Sequence, residues 1–237
     1  MNLIEITNGI SSLIFVVICI FVGILILNNY FKFGGKDFLL VGIAWIGLSE
    51  PWWPSSLSFI VAIFNETGLA DPIYLFIGIF FLPLFIVLWL LAMEDLIHFG
   101  TKHIIPIIFS IGSLIFEIYF MFYLFSDYTV LGNMEGPVDA NFSPILILYQ
   151  LIALLLFFIT GVVFAIQSLK SSEPRINLKG KFLFIALISF TVGTIFDIIM
   201  TSPITRTMLV ISAIMFYFGY ILPPGIQRIF LNELPEN

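Results

Sequence analysis

Residues 104–125 read IIPIIFSIGSLIFEIYFMFYLF, with a single charged side chain, Glu117, and no base. A helix rises about 1.5 Å per residue, so such a run matches a hydrocarbon layer of about 30 Å. The same signature recurs on both sides of it. Spans run approximately from Ile10 to Phe31, Phe38 to Phe64 and Ile73 to Met93 before it. After it they run from Ile145 to Gln167, Phe182 to Met200 and Ile204 to Leu222. This pattern predicts an all-α membrane protein, a seven-transmembrane-helix bundle forming one integral domain over residues 1–237 of a cell membrane.

Composition agrees. The chain is 60% hydrophobic and 10% charged, where a soluble domain averages about 25% charged. Its mean hydropathy is +1.14, which leaves no polar coat to hold it in water. Phe, Ile and Leu outweigh Ala, predicting cores packed by bulky interdigitation rather than by close small-residue contact. The single cysteine, Cys19, lies inside the first run and reads as a buried apolar thiol. The N-terminus MNLIEITNGI has no basic n-region or small-residue cleavage site, so the first run is expected to be retained as a span.

Boundaries carry helix-start chemistry. Asp71-Pro72, Ser143-Pro144 and Ser202-Pro203 each put a capping oxygen before a proline, whose missing N–H is harmless in a first turn. Pro223-Pro224-Gly225 stops the last span, and Ile226 to Leu231 is expected along the membrane surface.

Lys and Arg set the topology. Lys32, Lys36, Lys102, Lys170, Arg175, Lys179, Lys181 and Arg228 all fall on one side of a seven-span arrangement, and only Arg206 on the other. Cytoplasmic loops carry the excess of bases, which predicts the N-terminus out and the C-terminus in. The outer side then holds Glu5, Glu66, Asp71, Asp127, Glu135 and Asp139 against Arg206. An acidic face concentrates cations and disfavours anions. The inner side holds Asp37, Glu94, Asp95, Glu173, Glu233 and Glu236 among its eight bases.

Glu50, Glu117 and Asp197 interrupt the apolar runs, and no base interrupts any of them. A charged side chain at the bilayer centre costs about 3 kcal/mol or more, so these three are the leading site candidates. Their spans all run from inside to outside, placing Glu50, Glu117 and Asp197 roughly 18, 20 and 22 Å from the inner edge at about 1.5 Å per residue. Glu117 shares a helical stripe with Ser110 and Ser113, and Asp197 with Thr194 and Thr201. Tyr149 and Gln150 reach a similar depth in span five, as does Tyr74 in span three. Trp53 lies beside Glu50 in Ser49-Glu50-Pro51-Trp52-Trp53-Pro54. The expected ligand-binding set is therefore Glu50, Glu117, Asp197, Tyr149, Gln150 and Trp53, converging on one outward cavity.

Each acid also has a plain structural reading. Glu117 could be a neutral carboxyl bonded to a neighbouring helix, and Asp197 a rim partner of Arg206. Glu50 could lie in an interfacial Trp belt, with Ser55 to Phe64 flat on the surface. The favoured alternative is a span two kinked at Pro51 and Pro54, since broken helices are tolerated where they line a cavity. The outer loop from Ser126 to Asn141 reads as a connector first and a lid second.

Other chemistry is sparse. Glu94 and His98 stand four apart with Asp95 and His103 nearby, a spacing able to hold a metal. A helix C-terminal histidine is the plainer reading, so no metal and no cofactor is expected. No Walker-type, H-E-x-x-H or G-x-S-x-G motif occurs, no nucleophile–base set is visible, and no nucleic-acid-binding surface is evident. Enzymatic activity is not expected. Asn65-Glu66-Thr67 and Asn141-Phe142-Ser143 are glycosylation sequons on the predicted outer side.

Gly35-Lys36-Asp37-Phe38-Leu39-Leu40 opens span two much as Gly180-Lys181-Phe182-Leu183-Phe184 opens span six. This suggests a 3+1+3 parallel duplication. The arrangement resembles the topology of microbial rhodopsins and SWEET-type transporters. A retinal protein, however, needs a lysine in its last span, and Ile204 to Leu222 has none. The acid of Ser49-Glu50 in span two resembles the seven-helix sensor region that precedes some histidine kinases. That resemblance covers the membrane portion alone, and no output domain follows Leu231 in this sequence. Two functions are in view. The first is a receptor or sensor that binds a small cationic ligand and acts through a separate cytoplasmic protein partner, via the basic loop Lys170 to Lys181. The second is a small transporter or channel for protons, cations or amines that uses the intramembrane carboxylates.

Overall fold

The computed structural model describes residues 1–97 and 103–231. Six helices are long and apolar enough to cross a membrane: Leu3–Phe33, Asp71–Ile97, Ile104–Ser126, Pro144–Leu169, Pro174–Ile199 and Pro203–Ile221. Helix α1 (Leu3–Phe33) begins well before Ile10 because Asn2 and Glu5 form a reciprocal capping box at its first turn.

The expected span two is broken. Helix α2 (Lys36–Gly47) gives way to a 3-10 turn, Glu50–Trp52, and then to α3 (Trp53–Asn65). Pro51 and Pro54 each remove a backbone donor, which ends the regular ladder there. Both pieces pack antiparallel along α1. A Cβ on Gly42 would sit 3.0 Å from the Gly23 carbonyl oxygen, and one on Gly9 would strike the Phe59 ring. Residues 55–64 therefore lie against α1 rather than flat on a surface.

A second break was not anticipated. The Ile73–Met93 run is split into α4 (Asp71–Ile79) and α5 (Leu82–Ile97). Pro83 has no N–H to give the Ile79 carbonyl, and its ring opposes that group. The freed Phe81 N–H donates instead to Glu50 Oε1 at 2.7 Å. The two breaks thus meet, with the carboxylate of one serving the backbone of the other.

Helices α6 (Ile104–Ser126), α7 (Pro144–Leu169), α8 (Pro174–Ile199), α9 (Pro203–Ile221) and the short α10 (Pro224–Leu231) complete the set. Contacts run α1 to α2–α3, to α4–α5, to α7, to α8, to α9 and back to α1. This closes a ring, and α6 lies outside it against α5 and α7, where Ser113 Oγ and the Tyr149 hydroxyl are 2.9 Å apart. One end of the bundle joins Lys36 to Asp95 at 2.7 Å and stacks Phe182 edge-on to Phe230 of α10. The other end carries a hairpin of β1 (Gly132–Glu135) and β2 (Asp139–Phe142), paired antiparallel.

Close approach matters more than the Phe-rich composition predicted. Gly180 lies inside α8, where a Cβ would stand 2.7 Å from the Leu169 backbone nitrogen and 3.0 Å from the Ala165 carbonyl oxygen. Small residues at such crossings let helix backbones meet. Gly180 is also not a helix start as Gly35 is, because α8 opens at Pro174. The basic segment is correspondingly shorter as a loop, with Arg175, Lys179 and Lys181 already helical.

Of the expected caps, only Ser202 acts as one, accepting from the Thr205 N–H. Asp71 lies within α4, with Ala70 at the cap position, and reaches the Met134 N–H of the hairpin at 3.4 Å. The Ser143 hydroxyl makes no hydrogen bond. Asn65 closes a turn by accepting from the Thr67 and Gly68 N–H groups.

Candidate functional site

Beneath the hairpin lies a cavity of about 150 Å³. Its polar wall includes Ser55 and Tyr74, Asp139 and Asn141 of β2, Gln150, Thr194, Asp197 and Arg206. The loop of residues 126–141 is therefore part of the site: β2 forms the roof. The roof is tied down where Ser58 Oγ donates to the Pro137 carbonyl at 2.6 Å and the Tyr74 hydroxyl donates to the Val138 carbonyl at 3.0 Å.

Arg206 organises the polar wall. It stands in the second turn of α9, 3% exposed. One terminal nitrogen donates to the Asn8 carbonyl at 2.8 Å and to Ser12 Oγ, while the other donates to Asp139 Oδ1. Its Nε has no hydrogen-bond partner and lies 3.7 Å from Asp197 Oδ1. Asp197 accepts from the Trp52 indole N–H at 2.9 Å and from the Thr205 hydroxyl at 2.6 Å. Asp139 also accepts from Asn8 Nδ2 at 3.0 Å. The Asp197–Arg206 pairing, read from the sequence as a rim contact, is instead buried and shared with Asp139. The cluster holds two carboxylates against one guanidinium.

The floor is apolar. Each ring element contributes a buried aromatic to it, among them Phe15, Trp45, Trp89, Phe157, Phe190 and Phe216. Trp45 and Phe216 stack with centroids 3.4 Å apart and planes within 3°, and Trp89 packs on Phe157 at 4.7 Å. Phe157 and Phe190, whose centroids are 5.2 Å apart, are also cavity walls. Side chains this size in mutual contact leave little free space, and a small apolar pocket of about 10 Å³ remains between Trp89, Gly161, Leu187 and Phe216.

The expected site residues separate into groups. Asp197 and Gln150 line the cavity. Glu50 does not, although its neighbours Pro51 and Trp52 do. It is fully buried and turned toward Phe81, with Oε2 lacking a partner. Glu117 of α6 and Tyr149 of α7 do not line the cavity either. Both Glu117 oxygens lack hydrogen-bond partners, and Tyr149 stacks on Phe116 at 3.7 Å. Trp53 donates its indole N–H to Ser49 Oγ at 2.9 Å and packs on Phe85. One common site for all three acids is therefore not what forms.

Thr194, whose Oγ1 has no hydrogen-bond partner, and Thr201, which bonds back to the Asp197 carbonyl at 3.0 Å, are both cavity walls. At the opposite end, His98 and Lys102 fall outside the described residues, as do Glu233 and Glu236. Glu94 meets His103, with Nδ1 at 2.9 Å. Among the described residues, no group of three His, Cys, Asp or Glu could hold a metal.

Arg206, Asp139, Trp52 and Asn8 were not among the expected site residues. Two signals pointed to Arg206: it is the single base on the expected outer side, and it was read as a rim partner of Asp197. The fold and site together define an all-α membrane-type bundle with a roofed, acidic-leaning cavity above an aromatic layer. No protein-family model matches the chain, and no curated protein matches it significantly.

Proposed function

We propose that the protein is a seven-helix receptor or sensor whose cavity takes a small cationic ligand and whose signal passes to a separate cytoplasmic partner. In this reading α2 and α3 together form the seventh span, the N-terminus and the hairpin face outward, and the basic end faces the cytoplasm. Eight of nine bases fit that orientation. The ring order α1, α2–α3, α4–α5, α7, α8, α9 with α6 outside agrees with a 3+1+3 duplication.

The observation that carries the receptor reading is the aromatic floor. A transporter must open a path beyond its site, and here that path would dismantle the stacked Trp45–Phe216 pair and the Trp89–Phe157 contact. Two carboxylates against one guanidinium favour a cation, and the aromatic side chains of Trp52 and Phe190 are among the walls. A cavity of about 150 Å³ is of the size that takes one benzene-sized molecule.

The test is thermal stability and tryptophan emission in nanodiscs, against ethylamine, piperidine, benzylamine and tetramethylammonium, with acetate and benzoate as anionic counterparts. At least one amine is expected to raise the Tm and perturb Trp52. Asp197→Asn should weaken that amine about tenfold or more while the protein stays folded, since a hydrogen bond to a charged group contributes about 1.5–3 kcal/mol. Stabilisation by the anions alone, or by nothing, defeats the cation reading. Liposome flux of the stabilising amine above the protein-free rate would favour the transporter.

Orientation has its own check. In a Cys19→Ala background, Asn133→Cys in β1 should react with an impermeant maleimide added outside intact cells. Ser172→Cys, between α7 and α8, should react only after permeabilisation. The reverse pattern would invert the topology.

A further inference from the structure

We propose that α10 is a docking surface for acidic phospholipid: its apolar stripe enters the boundary between headgroups and acyl chains, and Arg228 draws anionic headgroups to it. The chain restricts where α10 can go. Helix α9 ends at Leu222 in a left-handed conformation, φ 51°, and Pro223 and Pro224 follow, so the helical ladder cannot continue. A new helix then forms over Pro224–Leu231. Ile226, Ile229 and Phe230 stand at i, i+3 and i+4 and make one stripe, with Arg228 on the far side. A helix this short is marginal on its own in water, yet Ile229 and Phe230 are 71% and 58% exposed. The protein itself does not cover the stripe.

Two contacts fix the level at which α10 lies. Gln227 Nε2 donates to the Leu222 carbonyl at 2.8 Å, and Phe230 meets Phe182 of α8 edge-on at 5.6 Å. Phe182 packs in turn on Phe218 of α9, also at 5.6 Å. Phe182 is where α8 changes character. Before it, Pro174 to Lys181 carries Arg175, Lys179 and Lys181; after it, no charged residue occurs until Asp197. Helix α10 therefore rests where α8 passes from polar to apolar sequence, the level at which an amphipathic helix lies in a membrane interface.

Charge selects the lipid. Arg228 is exposed, as are Lys181 beside Phe182 and Lys32 between the exposed Phe31 and Phe33 at the end of α1. None of the three enters an ion pair among the described residues, whereas Lys36 at the same end is held by Asp95 and Glu94 is held by His103. Bases beside a membrane surface draw anionic lipid, and an amphipathic helix adds the burial of its apolar face to that attraction. An acidic phospholipid meets both demands with one molecule, acyl chain for Ile229 and Phe230 and phosphate for Arg228. An acidic protein would offer the charge, but it would have to displace lipid from a helix lying at bilayer level. This surface is at the end of the bundle opposite the cavity and does not depend on what the cavity takes.

The test places a bimane label at Ile229→Cys in a Cys19→Ala background, in nanodiscs that mix phosphatidylcholine with phosphatidylglycerol. Either lipid carries the bromine quencher, at equal mole fraction. Brominated phosphatidylglycerol is expected to quench the label more than brominated phosphatidylcholine, with the difference shrinking as salt is raised. Arg228→Gln should lower that preference about fivefold, the effect of one base near the surface, while quenching by phosphatidylcholine persists. The same label at Asn133→Cys in β1 should show no preference. Equal quenching by the two lipids would overturn the acidic-lipid surface and leave α10 a plain interfacial helix. Absence of quenching by both would remove α10 from the bilayer altogether. Shielding of the label that persists in lipid-free detergent and rises with protein concentration would assign the stripe to a second copy of the chain instead.

Discussion

Arg206→Leu is expected to lower stability by about 3–5 kcal/mol, the cost of breaking a buried ion pair from one side. Asp139 and Asp197 would be left without the cation they share. The Asn8 carbonyl and Ser12 hydroxyl would lose their donor as well. The guanidinium joins α1, the hairpin and α9, and reaches toward α8. Its loss should therefore loosen the hairpin roof along with the helices. Reversible unfolding in mixed micelles would measure the loss, and hydrogen exchange at residues 132–142 would report the roof. Arg206→Lys should recover only part, because an ammonium cannot present the planar fork that serves several acceptors at once. Adding Asp139→Asn and Asp197→Asn to Arg206→Leu should restore a portion by removing the orphaned charges. No recovery in that triple variant would mean that packing, not charge, is what Arg206 supplies.

Gly180→Val is expected to cost at least about 1–3 kcal/mol, the usual range for overpacking. It belongs at the upper end or beyond, because the atoms in the way are backbone. The Leu169 nitrogen, the Ser168 carbonyl carbon and the Ala165 carbonyl oxygen all lie within 3.0 Å of where a Cβ would stand. Helices α7 and α8 would have to separate at their shared end, which also carries the Asn177 side-chain bond to the Leu169 carbonyl. Gly112→Ala is the control. It sits in α6 with nothing within 4 Å of an added Cβ, so it should gain up to about 1 kcal/mol from helix propensity. Thermal midpoints in detergent would separate the two. Equal effects would show that the α7–α8 crossing has slack the contacts do not suggest.

The long apolar runs and their prolines could be read directly, because an unbroken stretch of some twenty apolar residues leaves a chain few alternatives to a spanning helix. Span two's break was legible for the same reason, since Pro51 and Pro54 remove donors wherever they stand. The break at Phe80–Phe81 was legible too, though it was not anticipated: Pro83 stands ten residues into the Ile73–Met93 run, where a proline removes an interior hydrogen bond. The site was legible only as a set of costly residues. Asp197 and Gln150 do reach the cavity, but Glu50 turns away from it because the neighbouring break presents a free N–H.

By itself, the sequence determined that helices form, roughly where they begin and end, and that three acids would need compensation. Those properties depend on residue type and local order, which the chain carries along its length. The Asp197–Arg206 pair could be read as a rim contact, and only the tertiary structure decided that it is buried and shared with Asp139. Arg206 lies nine positions after Asp197, across a helix end, and its partner Asp139 lies in a hairpin two helices earlier. Pairings of that kind depend on how separate helices stack and rotate. That in turn follows from glycine contacts and aromatic packing, which no single stretch of sequence contains.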